Sequence, residues 1–270
     1  MHYQILVLDL DGTLTNSQKE ITAPTLKALF EIQEMGKKVV LASGRPINGV
    51  RPLAEQLHLQ KYGGYMLSFN GARITNCASG EIVYNRTLPL DITQSIYDIV
   101  TSFDGLDMVT YDDDMILSGI QSNEYVEKES KINHMAIRPI EHFVEYVTTP
   151  VNKFLVTGDP EIVLLAEAAL KKKFHSFLNI YKSEPYFLEI MPQNIDKAYS
   201  LQKLLSSIGL TADEMICCGD GFNDLTMIQY AGLGVAMENA QDLIKDHADY
   251  ITKSNDEDGV LHVIRTFMQN

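Results

Sequence analysis

Ile5-Leu6-Val7-Leu8-Asp9-Leu10-Asp11-Gly12-Thr13 is the stretch on which the fold turns. Four apolar residues in a row read as a strand buried on both faces, the signature of a parallel sheet. The run stops at two carboxylates, two residues apart, followed by Gly-Thr. In open α/β sheets ligands bind beyond the carboxyl ends of the strands, so this strand delivers acids to the place where such folds do chemistry. Gly12 permits a tight turn, and main-chain N–H groups past a strand end can cradle an anion. Asp and Gly are also ordinary turn formers. Two acids beside Gly-Thr exceed what a turn needs.

Working outward, 22–35 is predicted helical. Thr22 can cap it, Pro24 sits near its start, Leu26, Leu29, Phe30 and Gln33 keep helical spacing, and Gly36 stops it. Residues 38–42 read as a second strand and 46–57 as a second helix. This β-α-β-α order predicts a doubly wound parallel, Rossmann-like α/β core sheet. The texture then changes. Short strands at 65–69, 72–75 and 81–84 are broken by the hairpin signals Asn70-Gly71 and Ser79-Gly80. Helices predicted at 91–103 and 160–172 alternate with strands at 107–111, 115–118, 153–157, 177–182 and 186–190, an α+β texture. After Pro192 the first pattern returns, with helix 196–207, strand 214–218, helix 223–230, strand 233–236 and a closing helix 259–268. A catalytic core of 1–82 and 192–270, interrupted by an inserted α+β domain over 83–191, accounts for this order.

Composition bounds the function. The chain has 270 residues, 45% hydrophobic and 21% charged, which is ordinary globular usage and excludes a disordered or fibrous chain. Its net charge of −14 disfavours duplex nucleic acid and anionic membranes as partners. Three cysteines, Cys77, Cys217 and Cys218, form no disulfide framework, and a reduced, cytoplasmic setting is expected. The first residues lack a basic segment and a cleavage site, so no signal peptide is expected. No apolar run approaches the ~20 residues of a membrane helix.

Three further segments carry chemistry. Cys217-Cys218-Gly219-Asp220-Gly221-Phe222-Asn223-Asp224 again ends an apolar strand in glycines and acids before a helix. An Asx turn with a helix cap is its structural alternative. Several carboxylates at adjacent strand ends would repel one another, and a divalent cation is the usual remedy. All-oxygen ligands point to Mg²⁺ rather than zinc, and the histidines show no H-E-x-x-H pair. Ala42-Ser43-Gly44-Arg45-Pro46 offers a hydroxyl and free N–H groups at a helix start, an anion site or plain capping by Ser43. Lys197 stands near the start of the helix that re-enters the core. A surface role is usual for lysine, although it opposes the preference for acids at a helix start. Cys217 and Cys218 read as core residues.

Together these segments resemble the haloacid dehalogenase (HAD) superfamily, whose phosphatases carry Asp-x-Asp-Gly-Thr, a Ser or Thr, a Lys and Gly-Asp-x-x-Asn-Asp in that order. Asp9–Thr13, Ser43, Lys197 and Gly219–Asp224 match. The insertion over 83–191 resembles the cap of the Cof-type class IIB subgroup, as do Ser43-Gly44-Arg45-Pro46, Asn70-Gly71-Ala72, 184–190 and 232–240. One departure is Asn194-Ile195-Asp196-Lys197, where the family often has Gly-x-x-Lys.

The resemblance implies a Mg²⁺-dependent phosphatase of small phosphorylated metabolites, sugar phosphates foremost, working through an aspartyl-phosphate. Asp9 is then the nucleophile and Asp11 the general acid and base, with its pKa expected to be raised by neighbouring acids. Leu10, Ser43, Gly44, Lys197 and Asn223 hold the phosphoryl group. A carboxylate oxygen of Asp9, the main-chain carbonyl of Asp11, and Asp220 hold Mg²⁺, and Asp224 orients Lys197 or a metal-bound water. The insert is expected to act as a lid that selects the leaving group, with Lys182, Glu184, Tyr186, Phe187 and the run Asp112–Asp114 as candidate selectors that also read as core or solvated face. The expected partner is a small phosphate ester, with no nucleic acid or membrane, and the expected assembly is a monomer or weak homodimer. Two alternatives stand beside this reading. A class IIB phosphomutase needs a second phosphate site, for which the insert offers only Arg86 and Arg138. A phospho-Asp signalling domain would not need Asp11, which hastens loss of the phosphoryl group.

Overall fold

The computed structural model describes residues 3–112 and 114–269. The chain divides into two compact units, 1–84 with 196–270, and 85–195. In the first, β1 (Ile5–Leu8), α1 (Ala23–Glu34), β2 (Lys38–Ala42), α2 (Ile47–Gln56), α3 (Leu59–Tyr62), β3 (Tyr65–Ser68), β4 (Arg73–Asn76) and β5 (Ile82–Asn85) follow in order. The second carries α4 (Thr93–Thr101), β6 (Asp107–Asp112), β7 (Met115–Ser118), α5 (Glu124–Asn133), β8 (Ala136–Pro139), α6 (Phe143–Tyr146), β9 (Phe154–Thr157), α7 (Pro160–Phe174), β10 (Leu178–Glu184) and β11 (Phe187–Pro192). The first then resumes with α8 (Lys197–Ile208), β12 (Met215–Gly219), α9 (Leu225–Tyr230), β13 (Leu233–Ala236), α10 (Asp242–His247), β14 (Tyr250–Ile251) and α11 (Gly259–Phe267).

Among the described residues one sheet has eight strands in the order β14-β13-β12-β1-β2-β3-β4-β5. From β14 to β3 every pairing is parallel, and β4 runs antiparallel to β3. β1 explains the unbroken apolar run: Leu6 and Leu8 enter the core on one face, Ile5 and Val7 the core on the other. β2 and β12 divide in the same way, with Leu41 and Cys218 on the first face and Val40 and Cys217 on the second. The chain leaves β1 toward β2 and returns on the opposite side at β12. The order therefore reverses at β1, a topological switch point where such sheets bind ligands. Leu8 stands opposite both Cys218 and Leu41 in register, which places the ends of three neighbouring strands side by side.

The second unit has a six-stranded, largely antiparallel sheet in the order β10-β11-β9-β6-β7-β8, with separate apolar clusters on its faces. Its helix α5 escapes the sequence reading because Val126 is its one buried apolar residue. Its start is nevertheless marked by Asn123, whose side chain accepts the N–H groups of Tyr125 and Val126 at 3.1 Å. The helix predicted at 223–230 begins instead as a tight 3-10 turn over Phe222–Asp224. The Asp224 carboxylate turns back to take two N–H groups there, which tightens the first turn. Among the described residues no helix is long and apolar enough to cross a membrane.

Candidate active site

Asp9 follows β1 directly, and its N–H donates to the Cys218 carbonyl on β12 at 3.1 Å. Its side chain is nearly buried. The Leu10 side chain belongs to the core, and its carbonyl accepts the Thr15 N–H at 3.0 Å and the Thr15 hydroxyl at 2.9 Å. Leu10 can therefore serve a ligand only through its main chain. Gly12 sits at φ +85, and a Cβ there would lie 2.9 Å from Cγ of Asp220. Backbone conformation and close approach both require glycine. Thr13 completes the turn by donating its hydroxyl to Oδ1 of Asp220 at 2.7 Å. Asn239 Nδ2 donates to the Gly12 carbonyl at 2.8 Å, bracing the loop from the far side of β12.

Lys197 is fully buried, against the ordinary expectation for a lysine. Asp196 caps α8 by accepting the Tyr199 N–H at 2.8 Å, which sets Lys197 on the first turn. Nζ of Lys197 donates to Oδ1 of Asp9 at 2.7 Å, Oδ1 of Asp224 at 2.6 Å and the Ala42 carbonyl at 2.8 Å. These partners use all three ammonium donors. Asp224 accepts the N–H groups of Asp220 and Gly221 at its other oxygen, each at 3.0 Å. It thus fixes the lysine and the turn that carries Asp220. The departure at Asn194 is also resolved: it adopts φ +57, the left-handed backbone that glycine takes freely and asparagine tolerates.

One oxygen from each of Asp9, Asp220 and Asp224 lies within 4.8 Å of the others. Burial, then the charges of Asp224 and Asp220, push the Asp9 carboxyl well above its ordinary range despite Lys197. Burial foremost raises Asp220 to about 6. For Lys197 burial acts downward, but the carboxylates of Asp224 and Asp9 outweigh it and raise the ammonium's pKa. A single buried cation leaves this group of acids undercompensated, and their hard oxygen donors fit Mg²⁺.

A pH effect follows from the sign of these shifts. Asp9 and Asp220 hold protons in the folded state that the unfolded chain has already released. Their contribution to metal-free stability therefore falls as pH rises from the free carboxylate range through about 6 for Asp220. Mg²⁺ competes with those protons. Thermal unfolding should show a larger upward shift with Mg²⁺ at about pH 7.5 than at about pH 5; equal shifts would count against these carboxylates as ligands.

Asp11 departs from expectation. Arg45 grips it with two donors, Nε to Oδ2 at 2.9 Å and an NH2 nitrogen to Oδ1 at 2.7 Å, and Lys19 Nζ reaches Oδ1 at 2.8 Å. Burial acts to raise its pKa, but Arg45 and Lys19 outweigh burial, so the pKa is lowered rather than raised. Its neighbours in space are cations, which spacing along the chain does not reveal. With its carboxylate so engaged, Asp11 has its main-chain carbonyl to offer a metal.

Ser43 is buried, and its hydroxyl accepts the Arg45 N–H at 3.1 Å. It does not cap the following helix, because α2 begins at Ile47 with Pro46 at its N-cap. Gly44 and Asn223 meet at Asn70, which sequence reading registers as a turn former and as part of the matching Asn-Gly-Ala segment but not as a site residue; its Oδ1 accepts from Asn223 Nδ2 at 3.1 Å. Arg45 and Lys19 were likewise missed as site residues; only the Ser-Gly-Arg-Pro motif gave a signal for the first.

The candidate selectors of the insert lie in the second unit. Phe187 is core, Tyr186 stacks on Tyr125 with ring centres 5.0 Å apart, and Lys182 faces Glu167 at 3.9 Å. Glu184, Asp112 and Asp114 are exposed, whereas Asp113 and His2 lie outside the described residues. Cys217 and Cys218 are fully buried, and burial raises both thiols.

A family model described as haloacid dehalogenase-like hydrolase matches residues 6–264. The chain is 30% identical to the 5-amino-6-(5-phospho-D-ribitylamino)uracil phosphatase YcsE of Bacillus subtilis, covering 97% of this chain and 94% of that one. A haloacid dehalogenase-like hydrolase from Bacteroides thetaiotaomicron superposes with a TM-score of 0.94 at 47% identity, over 97% of this chain and 98% of that one. The subclass IIB sugar phosphatase BT4131 superposes with a TM-score of 0.81 at 25% identity, over 98% of each chain.

Proposed function

The chain belongs to the haloacid dehalogenase-like hydrolase family as a phosphoric monoester hydrolase, and we propose that it hydrolyses small phosphorylated metabolites through a phosphorylated Asp9, with Mg²⁺ bound. The observation that carries this reading is a nearly buried Asp9 carboxylate at a strand end, 2.7 Å from the Lys197 ammonium and grouped with Asp220 and Asp224. Sugar phosphates are the proposed substrate class. The likeness to a sugar phosphatase and to an enzyme named for a phosphorylated ribityl compound supports it.

In the first step an Asp9 oxygen attacks phosphorus. A bond from Asp9 to phosphorus forms as the ester P–O bond breaks, and Asp11 passes a proton to the departing alcohol oxygen. Asp11 must first leave Arg45 and Lys19 to hold that proton. In the second step the Asp11 carboxylate takes a proton from water, which attacks phosphorus and frees phosphate and Asp9. Ser43, the Gly44 N–H and Asn223 hold the phosphoryl oxygens, and Lys197 joins them by exchanging its bond to Asp9 for one to a phosphoryl oxygen, so that charge spread in the transition state meets donors. Asp9, the Asp11 carbonyl and Asp220 would hold Mg²⁺, which supplies positive charge against the repulsion between carboxylate and phosphate. All these groups belong to the first unit; the inserted segment 83–191 is proposed as the selector of the leaving alcohol.

Asp11→Asn separates the two steps. With p-nitrophenyl phosphate the leaving group needs no proton, so Asp9 should still be phosphorylated while hydrolysis of the intermediate slows by about 10²–10⁴-fold. A rapid release of one p-nitrophenolate per site, followed by slow turnover and a phosphoryl mass gain on Asp9, is expected. Unchanged steady-state turnover, or no phosphorylated Asp9, would overturn the mechanism. Sugar phosphates assayed with Mg²⁺ and again with a chelator test the substrate class and the metal.

A further inference from the structure

The turn between β3 and β4 is tied to three separate parts of the site. Phe69 and Asn70 stand at φ +52 and +51, a left-handed pair that side chains seldom adopt and that surrounding contacts must hold in place. The Phe69 N–H donates to the Arg45 carbonyl and the Asn70 N–H to the Ser43 carbonyl, each at 3.0 Å. These bonds stitch the turn onto the end of β2. Gly71 follows at φ +99, where a Cβ would lie 2.7 Å from the Asp196 carbonyl at the start of the Lys197 helix. The Asn70 amide packs over Gly44, its oxygen and nitrogen each 3.1 Å from where a Gly44 Cβ would stand. Its Oδ1 then accepts the Asn223 amide at 3.1 Å.

Asn223 sits on an exposed 3-10 turn. Among the described residues its side chain makes this one hydrogen bond, so its direction depends on Asn70. We propose that Asn70 is a positioning residue that aims the Asn223 amide at the phosphoryl group in the transition state. This inference rests on the phosphatase reading above and deepens it. An Asn-Gly turn is favoured by hairpin chemistry alone, so the test must separate a turn from an aimed amide.

Asn70→Gly does so, because glycine keeps the left-handed backbone and removes only the amide. With p-nitrophenyl phosphate and Mg²⁺, kcat should fall about tenfold while KM changes by less than about threefold and the melting midpoint is kept, the pattern of an interaction made in the transition state. The inhibition constant of orthovanadate, a transition-state mimic, should rise in step, and that of inorganic phosphate should not. Asn70→Asp keeps the shape but sets a negative charge beside the phosphoryl group, and should lose at least as much. In an Asn223→Ala background the loss from Asn70→Gly should shrink to less than about twofold. A kcat within about twofold of the parent, or the full loss persisting without Asn223, overturns the inference while leaving the phosphatase reading intact. A parent that shows no turnover overturns both.

Discussion

Asp9→Asn is expected to lower phosphomonoester turnover by about 10⁴-fold or more, with the melting midpoint kept or raised. The two outcomes have separate causes. An amide oxygen can still accept from Lys197 Nζ, which lies 2.7 Å from Oδ1 in the parent, and it occupies the same volume in a nearly closed space. It lacks the charge and lone-pair reactivity to attack phosphorus. Burial and the charges of Asp224 and Asp220 penalise the ionised Asp9 side chain, so a neutral amide relieves strain of electrostatic origin. Steady-state kinetics beside thermal unfolding checks the pair. Turnover near the parent value would refute Asp9 as nucleophile. A collapse in stability would show that its charge holds the fold.

Lys197→Met should give the largest loss of stability. The methionine fills the apolar part of the lysine's volume, but it leaves Asp9 and Asp224 facing each other without the cation. Lys197 is fully buried and bridges them at 2.7 and 2.6 Å. Breaking a buried pair by removing one partner typically costs about 3–5 kcal/mol, a large share of the ~5–15 kcal/mol that holds a folded domain. With the ammonium gone, the lowering effect of Lys197 on the Asp9 carboxyl is lost, so the folded-state pKa of Asp9 lies higher than in the parent. The variant's stability deficit should then shrink as pH falls toward the free carboxylate range. Adding Asp224→Asn should recover part of the loss at neutral pH, because one of the two stranded charges is gone. Urea unfolding of the single and double variants reads both effects. A single variant as stable as the parent at neutral pH would mean that the bridge is energetically idle.

Membership of the family was legible from motifs whose meaning is local. Three of them, at Asp9, Ser43 and Asp220, pair an apolar strand with the acids or hydroxyl that end it, the fourth, Lys197, opens a helix, and the match of 6–264 to the family model agrees. The neighbours of those residues were less legible. Lys197 reads as a surface residue on its helix and is buried because two loops from distant parts of the chain close over it. Asp11 was expected among acids, yet it is gripped by Arg45, 34 positions away, and by Lys19. Asn70 was visible as a turn residue, and nothing in the pattern indicates that its amide meets Asn223, 153 positions on.

What the amino-acid order determined by itself was the alternation of buried strands and amphipathic helices, and the chemistry placed at each strand end. Both rest on short-range rules, side-chain periodicity and turn preference, which act over a few residues. Only the tertiary structure decided which charge faces which. Strand order and register bring the ends of β1, β2 and β12 together. Around the fully buried Lys197, exclusion of water strengthens each pairing between ions at that short range.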